Sequence, residues 1–134
     1  MSGNRILASG AFLLSIAVLF GAFGAHALKP RLDPSQLASW RTGVEYHFYH
    51  ALGLLLVASL QDRVGRRAAR WVATLLMVGM VLFCGSLYLL STKDLLGIGN
   101  AIALLGPVTP LGGLCFIAGW AVLFISGLRK TDAG

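Results

Sequence analysis

The strongest constraint in this chain is a stretch of 23 residues, Ile6 to Leu28, that contains no Asp, Glu, Lys or Arg. A helix needs roughly 20 apolar residues, at about 1.5 Å each, to cross the hydrocarbon of a bilayer. The run is therefore long enough to span a membrane. It exceeds the roughly 7–15 apolar residues of a cleavable secretory signal, so Arg5 before it and Ala25-His26-Ala27 at its end are expected to flank a retained span. The rest of the chain agrees. Hydrophobic residues make up 57% and charged residues 12%, too few ions to coat a water-facing surface. A net charge of +6 could suggest nucleic acid, but the Lys and Arg residues lie between apolar runs and form no stripe, so no nucleic-acid partner is expected.

Three further spans follow. Asp33-Pro34-Ser35-Gln36 predicts a helix start, with Asp33 as cap, Pro34 in the first turn and Gln36 closing a capping box. From there to Leu60 the helix would be about 40 Å long, more than the hydrocarbon needs. Its first turns are thus expected to form an amphipathic, interfacial entry carrying Leu37, Trp40 and Val44, with Trp40 as anchor and Val44 to Leu60 as the span. Asp62 to Arg67 is a short charged turn, and Val72 to Leu90 is the third span. Leu95 to Leu128 is too long for one upright crossing, and Pro107 and Pro110 are expected to divide it. The fourth span is then Pro110 to Leu128, preceded by a short interfacial or re-entrant segment, Leu95 to Gly106, with Gly97, Gly99 and Asn100. The expected fold is all-α: one domain over residues 1–134, an integral membrane four-helix bundle with antiparallel neighbours. With both termini cytoplasmic, Arg5, Arg63, Arg66, Arg67, Arg70, Arg129 and Lys130 lie inside and Lys29, Arg31, Arg41 and Lys93 outside, as the positive-inside rule favours.

Alternating spans give every polar residue a depth, and most collect toward the non-cytoplasmic side. His26 ends the first span, Glu45, Tyr46, His47 and His50 occupy the outer half of the second, Ser86 and Tyr88 the end of the third, and Thr109 the start of the fourth. On a helical wheel Gly43, Tyr46, His50 and Gly53 share a face, His47 lies beside it, and Glu45 points elsewhere, within one turn of Arg41. The candidate polar cluster is His26, Glu45, Tyr46, His50, Ser86, Tyr88 and Thr109, with His26 and His50 expected to face inward and form hydrogen bonds. His26, His47 and His50 could share a metal, but three histidines without carboxylate repeats name none, and no cofactor is implied. Gly10, Gly21, Gly24, Gly53, Gly85, Gly112, Gly113 and Gly119 are candidate helix-packing positions. Cys84 and Cys115 lie in apolar runs without metal or redox spacing and are expected to remain reduced. No nucleophile with a base and no phosphate-binding loop is visible, so catalysis is the least supported class.

Four segments in order, Gly21-Ala22-Phe23-Gly24-Ala25-His26, Thr42-Gly43-Val44-Glu45-Tyr46 with His50, Gly85-Ser86-Leu87-Tyr88, and Thr109-Pro110-Leu111-Gly112-Gly113 with Gly119-Trp120, resemble the YgdD-like family of small inner-membrane proteins. The resemblance implies a multi-pass protein of the bacterial plasma membrane, from a family of unknown function with a eukaryotic transmembrane counterpart. It marks His26, Glu45, Tyr46, His50, Ser86, Tyr88 and Thr109 as family positions, and neither His47 nor the cysteines. Leu95 to Gly106 is longer than the connection associated with that family. The expected role is contact with protein partners in the membrane, as an accessory subunit or homo-oligomer. The alternative is a small-molecule binder or transporter with an outward-facing pocket lined by His26, Tyr46, His50 and Tyr88.

Overall fold

In the computed structural model, which describes residues 1–99 and 102–131, the chain is almost wholly helical, and Asn100, within the expected re-entrant segment, lies outside the described residues. Helix α1 (Gly3–Phe23) continues through a widened turn, Gly24–Leu28, closed by an i→i+5 bond from the Lys29 amide to the Gly24 carbonyl at 3.1 Å. Helix α2 (Pro34–Val64) follows, capped as its sequence predicts. Asp33 Oδ1 accepts the Ser35 and Gln36 amides at 2.8 and 2.9 Å, and Gln36 Oε1 accepts the Asp33 amide at 3.1 Å. Gly65, at φ +92°, turns the chain where a side chain would be strained. Helix α3 (Arg66–Gly79), a second widened turn (Met80–Cys84) and α4 (Gly85–Ser91) form one continuous stretch.

The connection after α4 consists of two single-turn helices, α5 (Lys93–Leu96) and α6 (Ile102–Leu105). Leu95, Leu96 and Leu104 are exposed, so these two turns lie on the outside of the long helices. Gln36 Nε2 donates to Asp94 at 2.6 Å and ties it to the start of α2. The last helix, α7 (Val108–Thr131), begins two residues before the expected Pro110. Proline is tolerated there because amides in the first turn have no intrahelical acceptor.

Three of the four long helical stretches, Gly3–Leu28, Arg66–Ser91 and Val108–Arg129, are long and apolar enough to cross a membrane. The fourth, α2, carries Arg41, Glu45, His47 and His50 within its apolar length. It nevertheless carries ten buried residues, more in number than any other of the four stretches. The packing register shows how the stretches lie. Along α1, Gly10 and Gly24 meet Leu55 and Trp40 of α2 in reverse order, so these two run antiparallel. Gly43 meets Tyr88 and Gly53 meets Leu76, so α2 is antiparallel to the α3–α4 stretch. Gly119 meets Leu76 and Ser86 meets Thr109, so α7 is antiparallel to that same stretch.

One expectation for α2 is corrected by this packing. Trp40 is no lipid-facing anchor: it is buried, its Nε1 donates to the Phe20 carbonyl at 3.0 Å, and its ring lies 4.7 Å from that of Tyr88. Gly24 makes the room, since a Cβ there would lie 2.6 Å from Trp40 Cδ1. An aromatic ring with one polar atom buries well when that atom finds a carbonyl.

Candidate functional site

The outer polar residues separate into two packed groups and an exposed remainder. In the first group His50 is buried, its Nδ1 2.7 Å from the Tyr46 carbonyl and its ring stacked on Phe116 at a centroid distance of 3.4 Å. A carbonyl only accepts, so Nδ1 carries the proton. Tyr46, 38% exposed, covers this pair and packs on Phe83. Ser86 Oγ is 2.6 Å from Thr109 Oγ1 and also donates to the Phe83 carbonyl at 2.9 Å, linking α4 to the start of α7. This group is a closed seam: rings cover the histidine and each hydroxyl of the serine–threonine pair has a partner.

His26 takes no part, which corrects the expectation that it faces inward. In its turn Gly24 and Leu28 are the buried pair, four residues apart on one face. His26, two residues from each, is carried to the opposite side and is exposed. Glu45 is exposed as well, and no ion pair joins it to Arg41 among the described residues. The four residues His26, Tyr46, His50 and Tyr88 therefore do not line a common opening. Tyr88 belongs to the second group instead.

That second group centres on His47, which the family resemblance did not mark. It is 5% exposed, with Nδ1 3.1 Å from Tyr88 Oη, while Nε2 is buried without a hydrogen-bond partner. The Leu13 carbonyl of α1 faces the imidazole but falls short of hydrogen-bond geometry with it. Beside the ring opens a groove of about 300 Å³ whose walls include Leu13, Met77, Met80, Cys84 and Tyr88. A buried nitrogen left unpaired normally costs about 1–3 kcal/mol, so this arrangement is unusual in an otherwise satisfied interior. The sequence signal for it was the i, i+3, i+7 spacing of Met77, Met80 and Cys84, a pattern that also fits an ordinary core face. Among the described residues no three His, Cys, Asp or Glu side chains converge. Cys84 and Cys115 are both free thiols, the first buried and the second half-buried.

The glycines sort by what a side chain would meet. At Gly10, Gly53 and Gly119 a Cβ would lie 2.8, 2.9 and 3.1 Å from Leu55, Trp120 and Leu76, and at Gly112 it would strike the Phe83 main chain. Gly21 and Gly113 leave ordinary contact distances, and Gly85 faces open space. Gly43, read from the sequence on the Tyr46–His50 face, seats Tyr88, whereas Gly79, which seats Phe116, was not singled out. Aromatic rings fill what these residues vacate.

An all-helical chain with several lipid-length spans, glycine-seated rings and buried polar seams defines a multi-pass membrane protein. Its residues 20–113 match the family described as "Protein of unknown function (DUF423)", and the chain belongs to that family. It is 42% identical over 121 residues to UPF0382 membrane protein YwdK of Bacillus subtilis (strain 168), covering 90% of this chain and 93% of that one. It is 35% identical over 134 residues to UPF0382 inner membrane protein YgdD of Escherichia coli (strain K12), covering 100% and 97%. A third relative, UPF0382 membrane protein SH2409 of Staphylococcus haemolyticus (strain JCSC1435), is 39% identical over 120 residues, covering 90% and 92%. No solved structure matches the chain. It is thus an inner-membrane, multi-pass protein of a family whose activity is not defined.

Proposed function

We propose that all four long helices cross the membrane with both termini cytoplasmic, and that the protein works by binding another membrane protein along the outward face of α2. The single observation that carries this reading is the position of Glu45. Val44 packs on Gly21, so Glu45 lies level with the outer third of α1, about 12 Å inside the end of the Gly3–Leu28 helix at ~1.5 Å per residue. With a hydrocarbon core of roughly 30 Å centred on that helix, the carboxylate faces lipid. An ionisable group within the hydrocarbon is costly, by about 2.5–3.5 kcal/mol at the bilayer centre on insertion scales and less toward the interface, and such groups ordinarily meet a partner.

The surroundings suit a protein contact. Arg41, Glu45, Tyr49, Leu52 and Leu56 share the exposed stripe of α2, which joins opposite charges to an aromatic ring and aliphatic surface. Arg41 and Glu45 also border a cleft of about 180 Å³ whose floor includes Gly21 and Gly24. Small floor residues admit a partner's side chain, and the charges fix its register. The closed seam around His50 supports an architectural use of that histidine. The exposed leucines of the α5–α6 connection suit an interfacial position on the non-cytoplasmic side.

Purification in mild detergent tests the reading. A stoichiometric membrane-protein partner, or a homo-oligomer, lost on Glu45→Leu while the fold persists is the expected result. A parent chain that is monomeric and alone would overturn the contact role. Labelling single cysteines at either terminus from the periplasm would overturn the orientation.

A further inference from the structure

We propose that the arginine-bearing end of α3 and α7 is a binding site for one phospholipid with two phosphates, a diphosphatidylglycerol, held by Arg67, Arg70 and Arg129. The site requires only that α3 and α7 stand in the bilayer. It is independent of the side on which the termini lie and of the partner contact on α2.

The built feature is a pair of open grooves that share one wall. Arg67 and Trp71, one turn apart on α3, line both. Arg70 and Thr74 complete the groove on one side, Ser126 and Arg129 of α7 the groove on the other, and each measures about 460 Å³. Each groove is therefore lined by two arginines and a hydroxyl side chain. Guanidinium groups bind phosphate through paired N–H donors, and basic pockets between membrane helices suit multiply charged lipid headgroups.

These charges are not compensated from within the protein. Among the described residues the ion pair at this end joins Asp62 to Arg66, at 3.5 Å, and none engages Arg67, Arg70 or Arg129. Asp33, Glu45 and Asp94 belong to the opposite half of the bundle. The first turn of α3 has no acidic residue and no capping side chain, so arginines stand where the helix dipole favours acids. An anion supplied from outside relieves both imbalances.

Depth and the surface below the grooves select a lipid over a water-soluble anion. The stretch Arg66–Ser91 has 26 residues, about 39 Å at ~1.5 Å each, so it outreaches the roughly 30 Å hydrocarbon core and its arginine end lies among headgroups. Trp71, 58% exposed, stands at that boundary, and the exposed Val78 and Val81 continue the same face of the helix into the hydrocarbon. Acyl chains fit along this stripe beneath the phosphates, whereas a soluble anion leaves it unused. Two adjoining grooves with a shared arginine match two phosphates on one glycerol bridge. A single-phosphate lipid fills one groove and leaves an arginine of the other unmatched.

The test is native mass spectrometry of the purified, delipidated full chain released from detergent micelles. The chain is titrated in parallel with diphosphatidylglycerol, phosphatidylglycerol, phosphatidylethanolamine and inorganic pyrophosphate. Expected are one diphosphatidylglycerol per chain, half-saturation at least tenfold below that of phosphatidylglycerol, and no retained phosphatidylethanolamine or pyrophosphate. Arg67→Gln and Arg129→Gln should each raise the half-saturation concentration at least fivefold. Arg63→Gln, which removes an exposed arginine that lines neither groove, should stay within twofold of the parent. All three side chains are exposed, so the variants keep the fold, with helicity and gel-filtration profile as readouts. A parent chain that retains no diphosphatidylglycerol would overturn the site, as would equal retention of phosphatidylglycerol or pyrophosphate. Equal loss in Arg63→Gln would also overturn it, reducing the arginines to a general charge effect.

Discussion

Substituting Gly112 by alanine separates seating of one helix on another from the general presence of small residues. A Cβ at Gly112 would lie 2.7 and 2.8 Å from Phe83 Cβ and Cα and closer still to the Phe83 amide nitrogen. Two of these atoms are main-chain and the Cβ is fixed to them, so no rotamer change relieves the overlap, and α7 must move away from the Met80–Cys84 turn. Overpacking of this kind costs about 1–3 kcal/mol, and rigid neighbours put this site near the top of that range. Alanine returns up to ~1 kcal/mol in helix propensity, which leaves a net loss of about 1–2 kcal/mol. Gly85→Ala is the matched control: it lies in the facing stretch, nothing stands within 4 Å of its Cβ, and it should be neutral or up to ~1 kcal/mol stabilising. The assay is the unfolding equilibrium in mixed micelles of a mild detergent and sodium dodecyl sulfate, followed by far-ultraviolet circular dichroism. The reasoning is refuted if Gly112→Ala is as stable as the parent, or if the two variants lose the same amount.

Two further substitutions probe the polar seams by the same assay. Ser86→Ala and Thr109→Val should each destabilise by about 1 kcal/mol, and the double variant by less than their sum, because the two hydroxyls share the 2.6 Å bond; strict additivity would show that the bond contributes nothing. Tyr88→Phe should cost about 1–3 kcal/mol, since it leaves both nitrogens of buried His47 without a hydrogen-bond partner, and a loss below about 0.5 kcal/mol would mean that water already serves the imidazole.

Much of the architecture was legible from the chain alone, for a reason specific to membranes. Lipid offers no hydrogen bonds, so an apolar run such as Ile6 to Leu28 has little choice but helix, and its length is set by the bilayer. Asp33, Pro34 and Gln36 act within a single turn, so the α2 cap could be read residue by residue. Gly10, Gly24, Gly53, Gly112 and Gly119 were recognisable as packing positions because close helix approach demands small residues. Gly85 was not distinguishable from them, because what faces a glycine belongs to another helix.

Only the tertiary structure decided which polar residues meet. The wheel of α2 placed Glu45 away from His50 correctly, but His26 lies in a widened turn whose buried face is set by Trp40 seating on Gly24. Trp40 carried an interfacial pattern in sequence, and became core because the Phe20 carbonyl and the Tyr88 ring lie within its reach. His47 held the least notice in sequence and the most unusual environment in the fold. Periodicity reports a residue's own helix, whereas a buried imidazole's neighbours, the Tyr88 hydroxyl and the Leu13 carbonyl, come from helices far away in the chain. Local rules therefore fixed the elements and their lengths, while the register between helices, set by rings fitting into glycine gaps, decided the chemistry each polar atom encounters.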